Sequence, residues 1–294
     1  MQIVYGVIRR IHLKERIFEI KIRDKIQYFY LTRSQMKQFN VYLQPGLFVH
    51  LKCHDNQLPH VIFTGRRKTK ILAYEVVNFV KMIRRSQSKM TVHFDLTTIR
   101  RGVQSVLNKK GYRMFLDLEF TLPPYSFQGG QEFVAEIVQY GFYLEDEKGQ
   151  VILKEQSLIK PKRHSGLNLR TYKFLNLKKS DFQNAISFRT FYYRLKDIIN
   201  LYQPTIYVWG KNDIKVLERA YELHKLKPIT MRMNFINLMQ ILKNYYGIKT
   251  DIGLFNAFAF FDEEIPETQD HDALQDAMMT RNLYHLFKQS FNNL

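Results

Sequence analysis

The sequence predicts a small all-β barrel followed by an α/β domain, and three observations carry that prediction. Residues 1–80 hold a succession of short β-branched and aromatic runs separated by turn residues. From residue 111 strands come first and helices are interspersed after them, the order of a mixed sheet flanked by helices. Charge divides at the same place: residues 1–110 carry 22 Lys and Arg against 6 Asp and Glu, net +16, whereas residues 111–294 carry 23 against 21. A chain of 294 residues suits about two domains. The spans expected are a basic barrel over 1–80, a basic connector with a helix over 81–110, and an α/β domain over 111–294.

In the first span, residues 3–8, 17–22 and 27–31 read as strands, with turns at Lys14-Glu15-Arg16 and Asp24-Lys25. Pro45-Gly46 punctuates before residues 47–52, Asn56-Gln57 before residues 60–63, and the last strand covers 71–80. Five or so strands in this length make a small barrel. In the connector, 81–90 is basic and Ser/Gln-rich. Leu96, Ile99, Val103, Val106 and Leu107 then recur at helical spacing, with Asp95 or Thr97 as cap and Arg100, Arg101, Lys109 and Lys110 on the other face.

Residues 113–121 open the third span as a strand, and its period of two puts Asp117 and Glu119 on one face. Two carboxylates so close raise each other's pKa unless a cation lies between them; otherwise they are two solvated acids at a strand end. Strands follow at 133–143 and 151–159, joined by a hairpin at Gly149, then a helix over 181–201, a short buried strand at 206–209 and a helix over 213–223. Helices are also expected over 235–246, 252–260 and 272–287. Asp213 opens a helix straight after a strand, where open α/β sheets gather ligands. His271 precedes Asp276 by five residues as the last helix starts, so both can point to a common spot.

Cys53 is the sole cysteine, which excludes an internal disulfide framework and fits a reducing compartment. No leader pattern and no run of about 20 apolar residues is present, so the expected location is cytoplasmic, with no membrane partner. The basic balance and the 18 Tyr and 23 Phe point instead to a polyanion whose bases stack, and Tyr28, Phe29 and Tyr30 are expected to be exposed for that purpose.

Asp117-x-Glu119, Asp213 after Trp-Gly, and His271-x4-Asp276 followed by Ala277 together resemble the DEDDh group of DnaQ-like 3′→5′ exonucleases, over residues 111 to about 290. The resemblance implies an RNase H-like fold. The Asp-Leu-Glu-Phe-Thr-Leu-Pro block, Glu136-Ile137, Lys160-Pro161 and Trp-Gly-x-x-Asp are similar to the KapD-like and Eri-like branch, which implies trimming of RNA 3′ ends. It further implies two Mg²⁺ or Mn²⁺ ions: Asp117 bridging both, Glu119 and Asp276 completing one shell, Asp213 supporting the other, and His271 as general base. Leu118, Phe120 and Thr121 follow the strand and are candidates for holding the terminal nucleotide or for core packing. The acidic stretch Asp262, Glu263, Glu264, Glu267 and Asp270 would repel a phosphate backbone and is expected to lie to one side. The amino-terminal run, with Gly6 in its first strand, an Ile-Phe-Glu-Ile strand, an aromatic hairpin and a Pro-Gly step, resembles an OB-fold or cold-shock-like domain, which implies binding of single-stranded RNA or DNA with Tyr28 and Tyr30 as stacking platforms; the rival is a small barrel used only for protein contacts. A DNA exonuclease of proofreading or repair type and a regulatory nucleic-acid-binding protein on a nuclease fold are the alternatives.

Overall fold

The structure is a computed structural model and describes residues 1–22, 25–65, 67–85, 89–128, 133–163, 167–248, 250–261, 263 and 271–291. The chain divides into two compact units, Met1–Val103 and Gln104–Leu294.

The first unit contains β1 (Gln2–His12), β2 (Ile17–Ile22), β3 (Lys25–Tyr30), α1 (Arg33–Phe39), β4 (Leu47–Thr64), β5 (Arg67–Arg85) and β6 (Met90–Asp95). Antiparallel pairing runs β3-β2-β1-β4-β5-β6, and a parallel β3–β5 pairing closes the first five strands into a barrel. Alternation along each strand turns Val4, Ile20, Phe29, Val49, Leu51 and Phe79 inward as its core. Gly6 is an inward position where a Cβ would run into the Ile20 side chain. The helix between β3 and β4 starts from a capping box, with the Thr32 hydroxyl accepting from Gln35 N–H and the Gln35 side chain accepting from Thr32 N–H. Gln35 also donates to the carbonyls of Val76 and Val77, fixing the helix to β5.

Three expectations change here. Strand extends through 81–85 and again through 90–95, where a connector was expected, because Lys81, Met82 and Ile83 pair across to β6. Asn56-Gln57 does not end a strand; register shifts between Cys53 and Gln57 absorb the polar residues and β4 continues. Phe29 is fully buried rather than exposed, since the period of two places it between outward-facing Tyr28 and Tyr30. Asp24 lies outside the described residues. The connector helix, α2 (Leu96–Leu107), is capped by Asp95, whose Oδ1 accepts from Thr97 and Thr98 N–H at 3.0 and 3.2 Å. Of its expected stripe, Leu96, Val103 and Leu107 are buried while Ile99 and Val106 are exposed.

The second unit is built on β7 (Arg113–Phe120), β8 (Ile137–Glu145), β9 (Val151–Lys160), β10 (Ile186–Ser187), β11 (Thr205–Val208) and β12 (Phe235–Asn237), in the order β10-β9-β8-β7-β11-β12. β7, β8 and β9 form an antiparallel meander, and β11 and β12 add in parallel beside β7. Helices α3 (Leu169–Phe174), α4 (Phe188–Tyr202), α5 (Asn212–Leu223), α6 (Leu238–Tyr246) and α7 (Ala273–Gln289) flank the sheet. The core joins Leu116, Leu118, Tyr140 and Phe142 of the central strands to Phe191 and Leu195 of α4 and Leu217 and Tyr221 of α5.

Helix does not begin at residue 181: a 3₁₀ turn spans Lys179–Asn184, β10 follows, and α4 starts where the Ser187 hydroxyl accepts from Thr190 N–H. Likewise residues 235–237 are strand, with Asn237 capping α6, and residues 255–261 are 3₁₀ rather than α-helix. β8 starts at Ile137, four residues later than expected.

Candidate active site

Three elements deliver the four acids. β7 carries Asp117 and Glu119 on one face at its carboxyl end. β11 runs parallel beside it and ends at Val208, so the following turn brings Asp213, in the first turn of α5, back toward β7. The Asp213 Oδ1 accepts the backbone N–H of Leu118 at 3.0 Å, which ties α5 to the residue between the two β7 acids. α7 brings Asp276 in its first turn and His271 just ahead of its cap.

The position of α7 depends on β8. Gly141 stands opposite Asp117 in the register, and a Cβ there would occupy the space of the Ala273 and Leu274 backbone. Gln139 stands opposite Glu119; its amide donates to Asp272 Oδ2 at 2.9 Å while its carbonyl accepts from Ala273 N–H at 3.4 Å. Gln156 of β9 donates to the same Asp272 oxygen at 2.6 Å, and Asp272 Oδ1 caps the helix by accepting from Gln275 N–H. The strands thus hold the first turn of α7 by its cap.

The resulting cluster is strongly anionic. Glu119, Asp213 and Asp276 are buried. Removal from water, and then the charges of Asp213, Glu119, Asp276 and Asp272, push the Asp117 carboxyl well above the usual carboxylate range. Burial, followed by the charges of Asp276, Asp213 and Asp272, raises Glu119 to about 8. Burial raises Asp276 to about 7, helped by Asp272. Asp213 also reaches about 7 through burial, against the opposing hydrogen bond from Leu118 N–H. Such a cluster is unfavourable by itself and is relieved by cations.

The donor set fits divalent metal. Ligand atoms of Glu119, His271 and Asp276 all lie within 4.8 Å of one another. Asp276 Oδ1 is buried with no hydrogen-bond partner, an orphaned acceptor of the kind a cation satisfies. All four acids present hard oxygen donors, which suit Mg²⁺ or Mn²⁺. Imidazole Nδ1 of His271 lies 3.8 Å from Glu119 Oε1, and its ring stacks on Phe174 at 4.0 Å.

The five expected catalytic residues therefore come together around one cavity of about 530 Å³, which Leu118 and Phe120 also line. Thr121 is placed differently: it is buried, and its hydroxyl accepts from Glu136 N–H. Tyr28 and Tyr30 belong to the barrel; Tyr30 stacks on His60 at 4.4 Å and lies under Arg16. Asp262, Glu264, Glu267 and Asp270 lie outside the described residues, and Glu263 is exposed. Gly141, Gln139 and Phe174 escaped the sequence reading. A glycine inside an apolar strand was the signal for the first; the other two had none.

The model of the exonuclease family (RNase T) matches residues 114–284, which include all five of these residues and more than half of the chain. The chain belongs to this exonuclease family. It is an exonuclease. The curated relative described as probable 3′-5′ exonuclease KapD, from Bacillus subtilis, is 28% identical over 178 residues, covering 60% of this chain and 84% of its own. The nuclease domain of 3′hExo, described as a DEDDh family member bound to rAMP, shares the fold of this exonuclease: TM-score 0.52, 18% identity, 63% of this chain and 93% of that one. A second solved 3′-exonuclease, described in 3′-end-specific recognition of a histone mRNA stem-loop, has TM-score 0.52 and 16% identity. This chain covers 64% of its length, and the match takes 61% of this chain. Among the described residues no helix of the exonuclease is long and apolar enough to cross a membrane.

Proposed function

We propose that the protein is a two-metal-ion exonuclease that removes 5′-mononucleotides from the 3′ end of single-stranded RNA, with the amino-terminal barrel gathering the strand. The observation that carries this reading is the convergence of four carboxylates and His271 at one cavity. Asp117, Glu119, Asp213 and Asp276 would hold the ions. Bound there, Mg²⁺ or Mn²⁺ supplies charge neutralisation at the reacting phosphate and at the leaving 3′ oxygen.

The chain's own groups do the remaining work. His271 accepts the proton of the attacking water, and its stacking on Phe174 limits the ring to one plane. Leu118 and Phe120 offer apolar surface to the terminal nucleotide on the cavity wall. Glu119 lies 3.8 Å from the imidazole, on the side of the ring's Nδ1. The net charge of +16 over residues 1–110 supports capture of a polyanion. Half-buried Tyr28 is the remaining candidate for base stacking; Tyr30 is already engaged with His60 and Arg16.

One assay tests the reading: 5′-labelled single-stranded RNA and DNA of one sequence, with Mg²⁺, Mn²⁺ or EDTA. The expected result is a ladder shortening from the 3′ end, faster on RNA, abolished by EDTA and slowed roughly 10²–10⁴-fold by His271→Ala. Internal cuts at early times would sink it, and faster loss of DNA would favour the repair-type alternative. Binding of the full chain to long RNA should weaken by about 0.7 in the log-log salt slope for each phosphate contact, and Tyr28→Ala should cost roughly 1–3 kcal/mol.

A further inference from the structure

The active-site cavity is lined by five acids, counting Asp251, and Lys211 is the one Lys or Arg among its described lining residues. A nucleic-acid strand that places its last phosphodiester at the catalytic acids brings a second phosphate into the same space, one nucleotide upstream. That phosphate needs a cation which the four catalytic carboxylates do not provide.

A second cation stands just behind the wall. Lys243 is 6% exposed, and its Nζ lies 2.5 Å from Asp251 Oδ1. Met239 and Gln240 of α6 line the cavity, and Lys243 follows Gln240 by three residues, on the same helical face. The pair is lopsided: the Lys243 side chain is 7% exposed and the Asp251 side chain 77%. A buried ammonium requires an anionic partner, whereas an exposed carboxylate is satisfied by water. Hydrogen bonding to Lys243, then its charge and that of Lys211, hold the Asp251 carboxyl below the usual range, and Lys211 lines the same cavity as Asp251. Its segment is fixed next door, where Trp209 Nε1–H donates to the Ile252 carbonyl at 3.0 Å, so that exchange of the carboxylate asks only for a side-chain rotation.

Resting on the exonuclease reading above, we infer that Lys243 and Lys211 form an anion subsite for the internucleotide phosphate upstream of the scissile one, with the Asp251 carboxylate holding that place until the strand arrives. Phosphate replaces carboxylate one for one, and the buried ammonium is never left unpaired. A mononucleotide lacks the second phosphate and leaves Asp251 where it is. The subsite thereby discriminates polymer from released product inside one cavity.

The test uses the full chain carrying Asp117→Asn, so that ligands survive, in Mg²⁺. Affinities are measured for a nucleoside 5′-monophosphate and for the 5′-phosphorylated dinucleotide, and their ratio is the readout. Asp251→Asn, at an exposed side chain, should raise the preference for the dinucleotide about tenfold by removing the competitor, and Lys243→Met should lower it by a similar factor. A ratio that Asp251→Asn leaves unmoved or lowers, or equal shifts for both ligands, overturns the subsite even if Lys243→Met fails to fold. Loss of the subsite in this way leaves the proposed reaction standing; that reaction fails separately if the unmutated protein does not shorten strands from the 3′ end.

Discussion

The two ends of the β7–β8 ladder both bury carboxylates, and they treat them in opposite ways. At the amino end of β7, Arg113 stands opposite Glu145 in the register. Fully buried Glu145 receives Arg113 Nε at 3.2 Å, Arg281 Nε at 2.5 Å and His285 Nε2 at 2.8 Å. Burial by itself would raise its pKa, yet the hydrogen bond and charge of His285, followed by Arg281 and Arg113, hold it below the usual range. Four and six residues along, Asp117 and Glu119 have further acids for neighbours and are pushed upward. The same two strands and the same helix α7 serve both ends. A carboxylate whose cations come from the protein is structural; a cluster of four acids beside which the protein sets one imidazole, 3.8 Å from Glu119, is arranged for something from outside.

The largest effect should come from the unpaired end. Asp117→Asn is expected to lower turnover by more than about 10³-fold, since on the proposed reading it would remove a ligand from a metal centre worth several kcal/mol of transition-state stabilisation. The same variant should melt higher than the unmutated protein in EDTA, because it relieves repulsion among the acids. A turnover near normal would erase the distinction between the two ends.

At the paired end, Glu145→Gln strands Arg113 and leaves Arg281 and His285 facing a neutral group, and should cost about 3–5 kcal/mol of stability by denaturant unfolding. A loss under about 1 kcal/mol would mean that the buried pairing contributes little.

The smallest and most diagnostic effect is the pH dependence, which has opposite signs at the two ends. Glu119, raised from 4.5 to about 8, and Asp276 and Asp213, raised from 3.8 to about 7, favour the protonated folded state. Their stabilisation is fully present below the ordinary carboxylate values and is lost as pH rises through about 7 to 8. Glu145, with its pKa lowered, contributes above the ordinary value of 4.5 and loses that contribution as pH falls below it. In EDTA the melting temperature should therefore decline from about pH 5 to about pH 8 in a way that Asp117→Asn blunts and Mg²⁺ reverses. A rising melting temperature across that window would contradict the raised values.

Much of this was legible because period and order are local properties of a sequence. Alternation alone put Asp117 and Glu119 on one face, and the alternation of 28–30, read more closely, also buries Phe29 between two outward tyrosines. What stayed hidden depends on register. Nothing near residue 139 says that Gln139 will face Glu119 or clasp the cap of a helix 134 positions later. Residues 81–85 resembled a linker because three of the five are Lys or Arg, and their inclusion in β5 follows from pairing with β6. Helix α1 was missed since its seven residues are too few to show a period.

Gly141 gives the candidate centre a mechanical tolerance. Its single hydrogen sets the clearance between β8 and the first turn of α7, so the closest approach of Asp276 to Asp117 is fixed by the thickness of a backbone rather than by the length of a side chain. A spacer of one methyl group there acts as a shim: it lifts the helix end without altering any acid, base or charge. The centre's dimensions are in this sense machined by an absence, and the residue that sets them carries none of its chemistry.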